Sequence, residues 1–331
     1  MVNNKIQIIA ECCQNHNGNF KTLREMIKEA SKNGANFVKT QCIFADSLSF
    51  RPRFENGIKK KNKVLVIKRP YFNEYKRLKK LELNKRNLID FIKICNDYSV
   101  YPLITCFTRK EIDFIYDIGF RNIKIASYDC SSFQFLREIR KKFKKIIVST
   151  GATYYHEIKK ADQILHGGDY VFLHCVTIYP TPLDKTNLLK MDYLKKFTKN
   201  FGFSDHSLVK KYENFISFNA ILRGAKYIER HFTILKPYET RDGRVSINPK
   251  QLQELRHFSD STDKGRINIL KKYSKKFSYN KKEILGSKKQ YLSNEELLNR
   301  DYYKGRFLSK IRLNNQRIGI YNWEEVPIDD F

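Results

Sequence analysis

Eight short, mostly apolar runs recur along this chain, each separated from the next by a segment of helical period. That alternation leaves few folds open. The runs are Lys5–Cys12, Phe37–Gln41, Tyr101–Phe107, Asn122–Ser127, Lys145–Thr150, Tyr170–Val176, Asn200–Asp205 and Tyr227–Phe232. Continuous rather than alternating apolarity is what parallel strands need when both faces are buried. Between them lie amphipathic segments such as Phe20–Asn33, Asn84–Tyr98, Arg109–Ile118 and Tyr212–Arg223, and a final helix over Pro249–Ser259. Gly34, Gly119 and Gly224 stand where a helix would end in left-handed backbone. Eight βα units in roughly 260 residues predict the α/β class and a (β/α)8 TIM barrel. A doubly wound sheet would carry a Gly-rich fingerprint after its first strand, and Gln14-Asn15-His16-Asn17-Gly18 is not one.

The rhythm breaks twice. Residues 42–83 form a long excursion after the second strand, with a basic patch and a hairpin expected near Val64–Lys68. Long loops in compact domains are usually functional. The expected layout is a barrel over 1–265, a basic linker over 266–298 and a short C-terminal appendage over 299–331, a small cap or dimer arm holding Trp323.

The chain carries 64 Lys+Arg against 35 Asp+Glu, a net charge of +29. That balance fits nucleic acid, anionic lipid or anionic small substrates, and its sign alone does not choose among them. No RNP-like or zinc-finger pattern accompanies the aromatics, so nucleic acid is not the expected partner. No apolar run approaches the roughly 20 residues of a membrane span. The first residues lack the pattern of a signal peptide. Seven cysteines without regular spacing read as reduced thiols rather than a disulfide framework, which points to a cytoplasmic protein.

In a barrel, function sits where strands end. The strand ends here are Glu11, Lys39 and Gln41, Thr105, Lys124 and Ser127, Ser149 and Thr150, Thr177 and Tyr179, Asp205 and His206, and Glu229 and His231. Buried lysines are rare unless paired. Lys39 and Lys124 either complete a structural network with Glu11 or Glu229, or hold a phosphate or carboxylate with hydroxyls of Thr105, Ser127 and Ser149. Gly151 would let backbone amides approach such an anion. His206 and His231, each flanked by a carboxylate, suit a divalent ion such as Mn, Mg, Fe or Zn. Such an ion would polarise a carbonyl. His16 and His174 are weaker candidates. Lysines for an anion and a metal for a carbonyl point to joining an anionic phosphate compound to an aldehyde or ketone.

These stretches resemble the sialic acid synthase family, the phosphoenolpyruvate-dependent N-acetylneuraminate synthases and their legionaminic and pseudaminic acid relatives. The resemblance rests on an ordered set of motifs. They are Ala10-Glu11, Asn15-His16-Asn17-Gly18, Gly34 to Gln41, Lys124-Ile125-Ala126-Ser127, Ser149-Thr150-Gly151, Leu173-His174-Cys175 with Tyr179-Pro180-Thr181-Pro182, Phe203 to Ser207, and Glu229 to Thr233. The resemblance implies a barrel that condenses phosphoenolpyruvate with an open-chain amino sugar of the N-acetylmannosamine kind, releasing phosphate and a nonulosonic acid. It implies a divalent metal, typically Mn2+ with Mg2+ or Co2+ as substitutes, held by His206 and His231. Lys39, Thr105, Lys124, Ser127, Ser149, Thr177 and Tyr179 would hold phosphoenolpyruvate. Glu11, Gln41 and Asp242 would be catalytic. A homodimer is implied too.

Three departures fall on the sugar side. Thr177 stands where the family usually has Asn. Asp242 is kept, but Gly243 replaces its usual His partner. The appendage is a reduced or divergent form of the family's antifreeze-like domain, whose Arg enters the partner's site; Arg300 or Arg306 are the candidates for that role. Two other readings remain open. One is a related 3-deoxy-ulosonic acid synthase whose phosphorylated sugar would need a second Arg/Lys cluster, from Arg241 and Arg244 or the excursion. The other is a non-catalytic basic barrel that binds anionic polymer or RNA.

Overall fold

The computed structural model describes residues 5–276, 281–289, 291–313 and 316–327. Eight parallel strands close into a barrel: β1 (Gln7–Glu11), β2 (Phe37–Gln41), β5 (Tyr101–Cys106), β6 (Asn122–Ile125), β7 (Lys145–Ser149), β8 (Asp169–His174), β9 (Phe201–Asp205) and β10 (Tyr227–His231). Their order around the wall is β1-β10-β9-β8-β7-β6-β5-β2. Each predicted run supplies one strand, with ends that fall within two residues of those expected. The expected helices follow, except that Tyr212–Arg223 is two helices, Val209–Tyr212 and Phe215–Leu222. They part at Glu213, whose φ is +46°. Gly34, Gly119 and Gly224 all have positive φ, as helix C-terminal positions require.

Two faces of each strand do different work, as a pleat of period two demands. Outward residues such as Ile8, Val38, Ile104, Ile123, Ile125, Val148, Phe172 and Ile228 pack against the helices. Inward residues fill the lower barrel with an apolar plug of Ile9, Phe37, Leu103, Ile147, Val171, Leu173 and Tyr227. One pleat further along, the inward positions turn polar. Gly202 is required in this layer, because a Cβ there would meet the Tyr227 carbonyl oxygen at 2.0 Å.

The excursion after β2 holds the expected hairpin as β3 (Ile58–Lys60) and β4 (Lys63–Val66), then a helix, Tyr71–Lys79. Within the stretch expected as a linker, Asp263–Lys276 is helical and packs on the barrel's outer wall. Tyr273 meets Phe218 with ring centroids 5.0 Å apart and donates to Glu254 at 3.0 Å. Residues 277–280 and 290 of that stretch, and 314–315 and 328–331 of the appendage, lie outside the described residues.

The appendage is a helix, Asn294–Tyr303, and an antiparallel sheet of β11 (Ser309–Leu313), β12 (Gln316–Ile320) and β13 (Glu325–Pro327). Ser293 and Glu296 cap the helix reciprocally. The unit lies over its own barrel's mouth. Asn322 donates to the Phe107 carbonyl and to Asp129, each at 2.9 Å. Asn299 donates to the Thr177 carbonyl at 2.6 Å, and Leu308 N to the Ser47 carbonyl at 2.7 Å. Arg300 forks onto Glu157 at 2.5 and 2.8 Å.

Candidate active site

Above the apolar plug lies a cavity of about 390 Å3. Its walls include all twelve expected site residues: Glu11, Lys39, Gln41, Thr105, Lys124, Ser127, Ser149, Thr177, Tyr179, His206, His231 and Asp242. Residues from β1, β2, β5, β6, β7, β9 and β10 and from the following loops thus converge.

The floor is an ionic lattice. Lys39 pairs with Glu11 and, at 2.9 Å, with Glu229. Lys124 donates to Ser149 Oγ at 2.6 Å and to its neighbour's carbonyl, Ile125, at 3.2 Å, and lies 3.9 Å from Glu229 Oε1. Ser204 donates to the same Glu229 oxygen at 2.7 Å. Glu11 accepts from the Cys13 amide at 2.6 Å. Burial alone would lower the Lys39 pKa, but Glu11 and Glu229 outweigh it and hold it above the usual lysine range. Lys124 has weaker support, and burial brings it down to about 8. Burial raises Glu11. Burial also works against Glu229, yet Lys124 and Lys39 hold it well below the usual carboxylate range. The lysines are thus paired with the two glutamates, and they also face the cavity beside Ser127, Ser149 and Thr105. Gly151 is a packing position: its missing Cβ would lie 2.7 Å from Cys175 Sγ, so a side chain would push into the cavity wall.

The histidines occupy the next level. His206 Nδ1 donates to the Val176 carbonyl at 2.9 Å, which leaves Nε2 with its lone pair turned toward Tyr179 OH at 3.0 Å and Ser204 Oγ at 3.2 Å. Burial, reinforced by His231, lowers His206 to about 3, so the imidazole is neutral at ordinary pH. The His206 and His231 ring centroids are 5.5 Å apart. His231 Nδ1 is buried without a hydrogen-bond partner and stands 4.0 Å from Asp242 Oδ2. A neutral imidazole at His206, the orphaned ring nitrogen of His231 and the Asp242 carboxylate fit a divalent ion.

Strand alternation corrects part of the sequence reading. Asp205 points away from the cavity and forms a buried pair with Arg230 at 2.6 Å, so of the two flanking carboxylates only Glu229 faces inward. His174 also faces outward, bonded to the Thr186 carbonyl at 2.9 Å. His16 accepts from the Gly18 amide at 3.0 Å. Neither lines the cavity. Arg300 is taken by Glu157, whereas Arg306 does reach a cavity, that of its own chain, where it pairs with Glu74.

The sequence reading missed Cys13, Gln14, Arg69 and Arg77. Cys13 has φ +44°, so the chain doubles back after β1 and brings the thiol to the His231–Asp242 corner. It donates to Asp242 at 3.1 Å, and Gln41 donates to it at 3.1 Å. Burial and Asp242 push its pKa well up, so it stays a thiol. The position of Cys13 two residues after the strand-ending Glu11 was the available signal. The arginines sit on the excursion, Arg69 before its helix and Arg77 on it, and the sequence does not show that this helix packs over the barrel mouth.

A closed parallel barrel with ammonium groups, hydroxyls, imidazoles and carboxylates at its C-terminal mouth defines an enzyme of anionic small-molecule chemistry. The NeuB family model matches residues 26–265, and the chain belongs to that family. It is 34% identical over 262 residues to N,N'-diacetyllegionaminic acid synthase of Campylobacter jejuni, covering 76% of this chain and 74% of that one. It is 31% identical over 250 residues to pseudaminic acid synthase of the same species, covering 74% and 70%. The N-acetylneuraminic acid synthetase of Leptospira borgpetersenii, solved with citrate, superposes with a TM-score of 0.66 at 25% identity, covering 91% and 92% of the two chains. This protein is accordingly a phosphoenolpyruvate-dependent condensing enzyme. Among the described residues no helix is long and apolar enough to cross a membrane.

Proposed function

We propose that this enzyme condenses phosphoenolpyruvate with the open-chain form of an N-acylated amino sugar, giving a nonulosonic acid and inorganic phosphate in a metal-dependent reaction. The observation that carries this reading is the two-level cavity: two buried lysines beside hydroxyls below, two imidazoles beside a carboxylate above. Lys124, Lys39 and the hydroxyls of Thr105, Ser127, Ser149 and Thr177 grip the phosphate and carboxylate of phosphoenolpyruvate, with Tyr179 at the edge. His206, His231 and Asp242 are the residues that would hold the ion, Mn2+ being the first choice. When bound, that ion supplies Lewis-acid polarisation of the sugar aldehyde.

Carbon 3 of the enol forms the new bond to the aldehyde carbon, and the aldehyde oxygen gains a proton. Water adds at carbon 2 and loses a proton. The bond from carbon 2 to the phosphate oxygen then breaks as the carbon-2 hydroxyl gives its proton to the departing phosphate, leaving the 2-keto acid. Glu11, its carboxyl raised by burial, is suited to move the proton of that water. Gln41 orients the Cys13–Asp242 corner through its 3.1 Å bond to the thiol. The reaction runs in the cytoplasm, where phosphoenolpyruvate is available, and a homodimer is the proposed assembly.

The test is incubation of the pure enzyme with phosphoenolpyruvate, Mn2+ and a panel of N-acylhexosamines, with phosphate release followed and products read by mass. A new mass equal to sugar plus phosphoenolpyruvate and water, less phosphoric acid, supports the reading. Absence of phosphate release with every sugar and every divalent ion sinks it.

A further inference from the structure

The cysteines differ in what surrounds them. Cys12, Cys42, Cys95, Cys106 and Cys130 sit in the apolar core, as a small hydrophobe would. Cys13 does not. It lines the cavity, and its sulfur is held between two polar groups: it donates to Asp242 Oδ2 at 3.1 Å and accepts from Gln41 Nε2 at 3.1 Å. The sulfur reaches that place through left-handed backbone, φ +44°, which a residue with a Cβ rarely adopts. The turn is tied down. The Cys13 amide donates to Glu11 at 2.6 Å, and Asn15 donates to the Phe232 carbonyl and to Ser246 Oγ, both at 2.9 Å. Ser246 Oγ in turn donates to the Asp242 carbonyl at 2.7 Å. Cys13 and Asp242 are thus held together by two routes, their direct bond and the Asn15–Ser246 bridge.

The same corner holds a ring nitrogen without a partner. His231 Nδ1 is buried, makes no hydrogen bond and stands 4.0 Å from Asp242 Oδ2. Ligand atoms of Cys13, His231 and Asp242 all lie within 4.8 Å of one another, and among the described residues no other three His, Cys, Asp or Glu side chains converge in this way. His206 stands just outside that trio, its Nε2 facing Tyr179 and Ser204. Charge points to the same three residues. On the floor, Lys39 and Lys124 balance Glu11 and Glu229. At the imidazole level the trio's one carboxylate offsets only half of a dication. A thiolate supplies the rest, so that no net charge is left buried.

We propose that Cys13 is a ligand of the divalent ion, joining His231 and Asp242 in a set of sulfur, nitrogen and oxygen donors that His206 completes, and that its sulfur turns the site toward the softer ions Zn2+, Co2+ and Fe2+ over Mn2+ and Mg2+. This rests on the metal-dependent condensation reading above and goes beyond it in the ligand set and in the ion preferred. Thiolate favours the softer ions, whereas carboxylate and water suit Mg2+ and Mn2+. The proton that Cys13 donates to Asp242 leaves for solvent as the sulfur–metal bond forms, and Cys13 binds as thiolate. Gln41 keeps its hydrogen bond to the sulfur and holds it in place.

The experiment strips the enzyme with EDTA, loads it with Zn2+, Co2+ or Mn2+ alone, and reads the ligand shell directly. X-ray absorption of the Zn2+ form should show one sulfur at about 2.3 Å beside nitrogen and oxygen at about 2.0–2.2 Å. The Co2+ form should show a thiolate-to-cobalt charge-transfer band in the near ultraviolet. Cys13→Ser and Cys13→Gly, the second suited to left-handed backbone, should both lose the sulfur and the band. Each should weaken Zn2+ binding about tenfold or more beyond any weakening of Mn2+ binding, read by calorimetry. If neither variant folds, Cys175→Ser decides instead: Cys175 is the other cysteine lining the cavity, and the sulfur must survive its replacement. A shell without sulfur in the unaltered enzyme overturns the inference and leaves the condensation reading standing. A sulfur that persists in both Cys13 variants, or is lost in Cys175→Ser, overturns it as well. Equal weakening of Zn2+ and Mn2+ binding overturns the ion preference. If the unaltered enzyme binds none of the three ions, the metal dependence of the condensation reading fails too.

Discussion

Asp205 and Arg230 form an ion pair at 2.6 Å, both fully buried, on the outer face of β9 and β10, directly behind the histidines that follow them in sequence. Asp205 is further held by Ser217 at 2.6 Å and by the Ser207 amide at 2.9 Å. The pair fixes the two strand ends from outside the barrel. Asp205→Ala would strand a buried guanidinium and should cost about 3–5 kcal/mol of stability, read as a lowered denaturant midpoint. Loss below about 1 kcal/mol would show that the pair is not what holds these strand ends.

His206→Ala and His231→Ala remove the proposed metal ligands while leaving the apolar plug and helices untouched. Each should lower metal-dependent turnover by more than about 100-fold and abolish Mn2+ binding by calorimetry, with cooperative unfolding retained. Full activity of either variant, or of the unaltered enzyme after exhaustive EDTA treatment, refutes the metal assignment.

Lys124→Met removes a charged donor from the phosphoenolpyruvate side and leaves Glu229 with only Lys39 and Ser204. KM for phosphoenolpyruvate should rise about 10- to 100-fold, as loss of a charge-assisted bond implies. An unchanged KM and kcat removes Lys124 from the site.

The same residue sets a pH dependence. Burial lowers Lys124 to about 8, and only the protonated form attracts phosphate. kcat/KM for phosphoenolpyruvate should therefore fall about tenfold per pH unit above about pH 8. Stability moves oppositely. Between about 8 and the usual lysine value the unfolded chain binds more proton, so the Lys124 contribution to stability rises with pH. A profile flat to pH 10 contradicts the assignment.

Arg306 enters the cavity of its own chain, so the site is built in cis by the cap. Mixing Lys124→Met with Arg306→Ala enzyme should restore no activity beyond that of the two variants alone. If partner caps completed each site, random dimers would recover roughly a quarter of wild-type activity. That recovery would refute closure in cis.

Much was legible from the chain alone. The eight apolar runs and their helical spacers specified the barrel because burial of both faces of a parallel strand writes itself as continuous apolarity. Polar residues at the ends of the apolar runs marked Glu11, Lys39, Thr105, Lys124, Ser149, His206 and His231, since the mouth of a packed barrel is where such groups are tolerated. Direction within the wall was harder: Asp205 and His206 are adjacent, and only the pleat sends one outward to Arg230 and the other inward. Non-local placement was not written locally at all. The turn at Cys13 brings a thiol to Asp242, 229 residues away. Glu74 pairs with Arg77 on its own helix and with Arg306, 232 residues away in the cap. Periodicity reports which face of an element is buried. Which loops meet above the barrel depends on how the excursion and cap pack, and only the tertiary structure decides that.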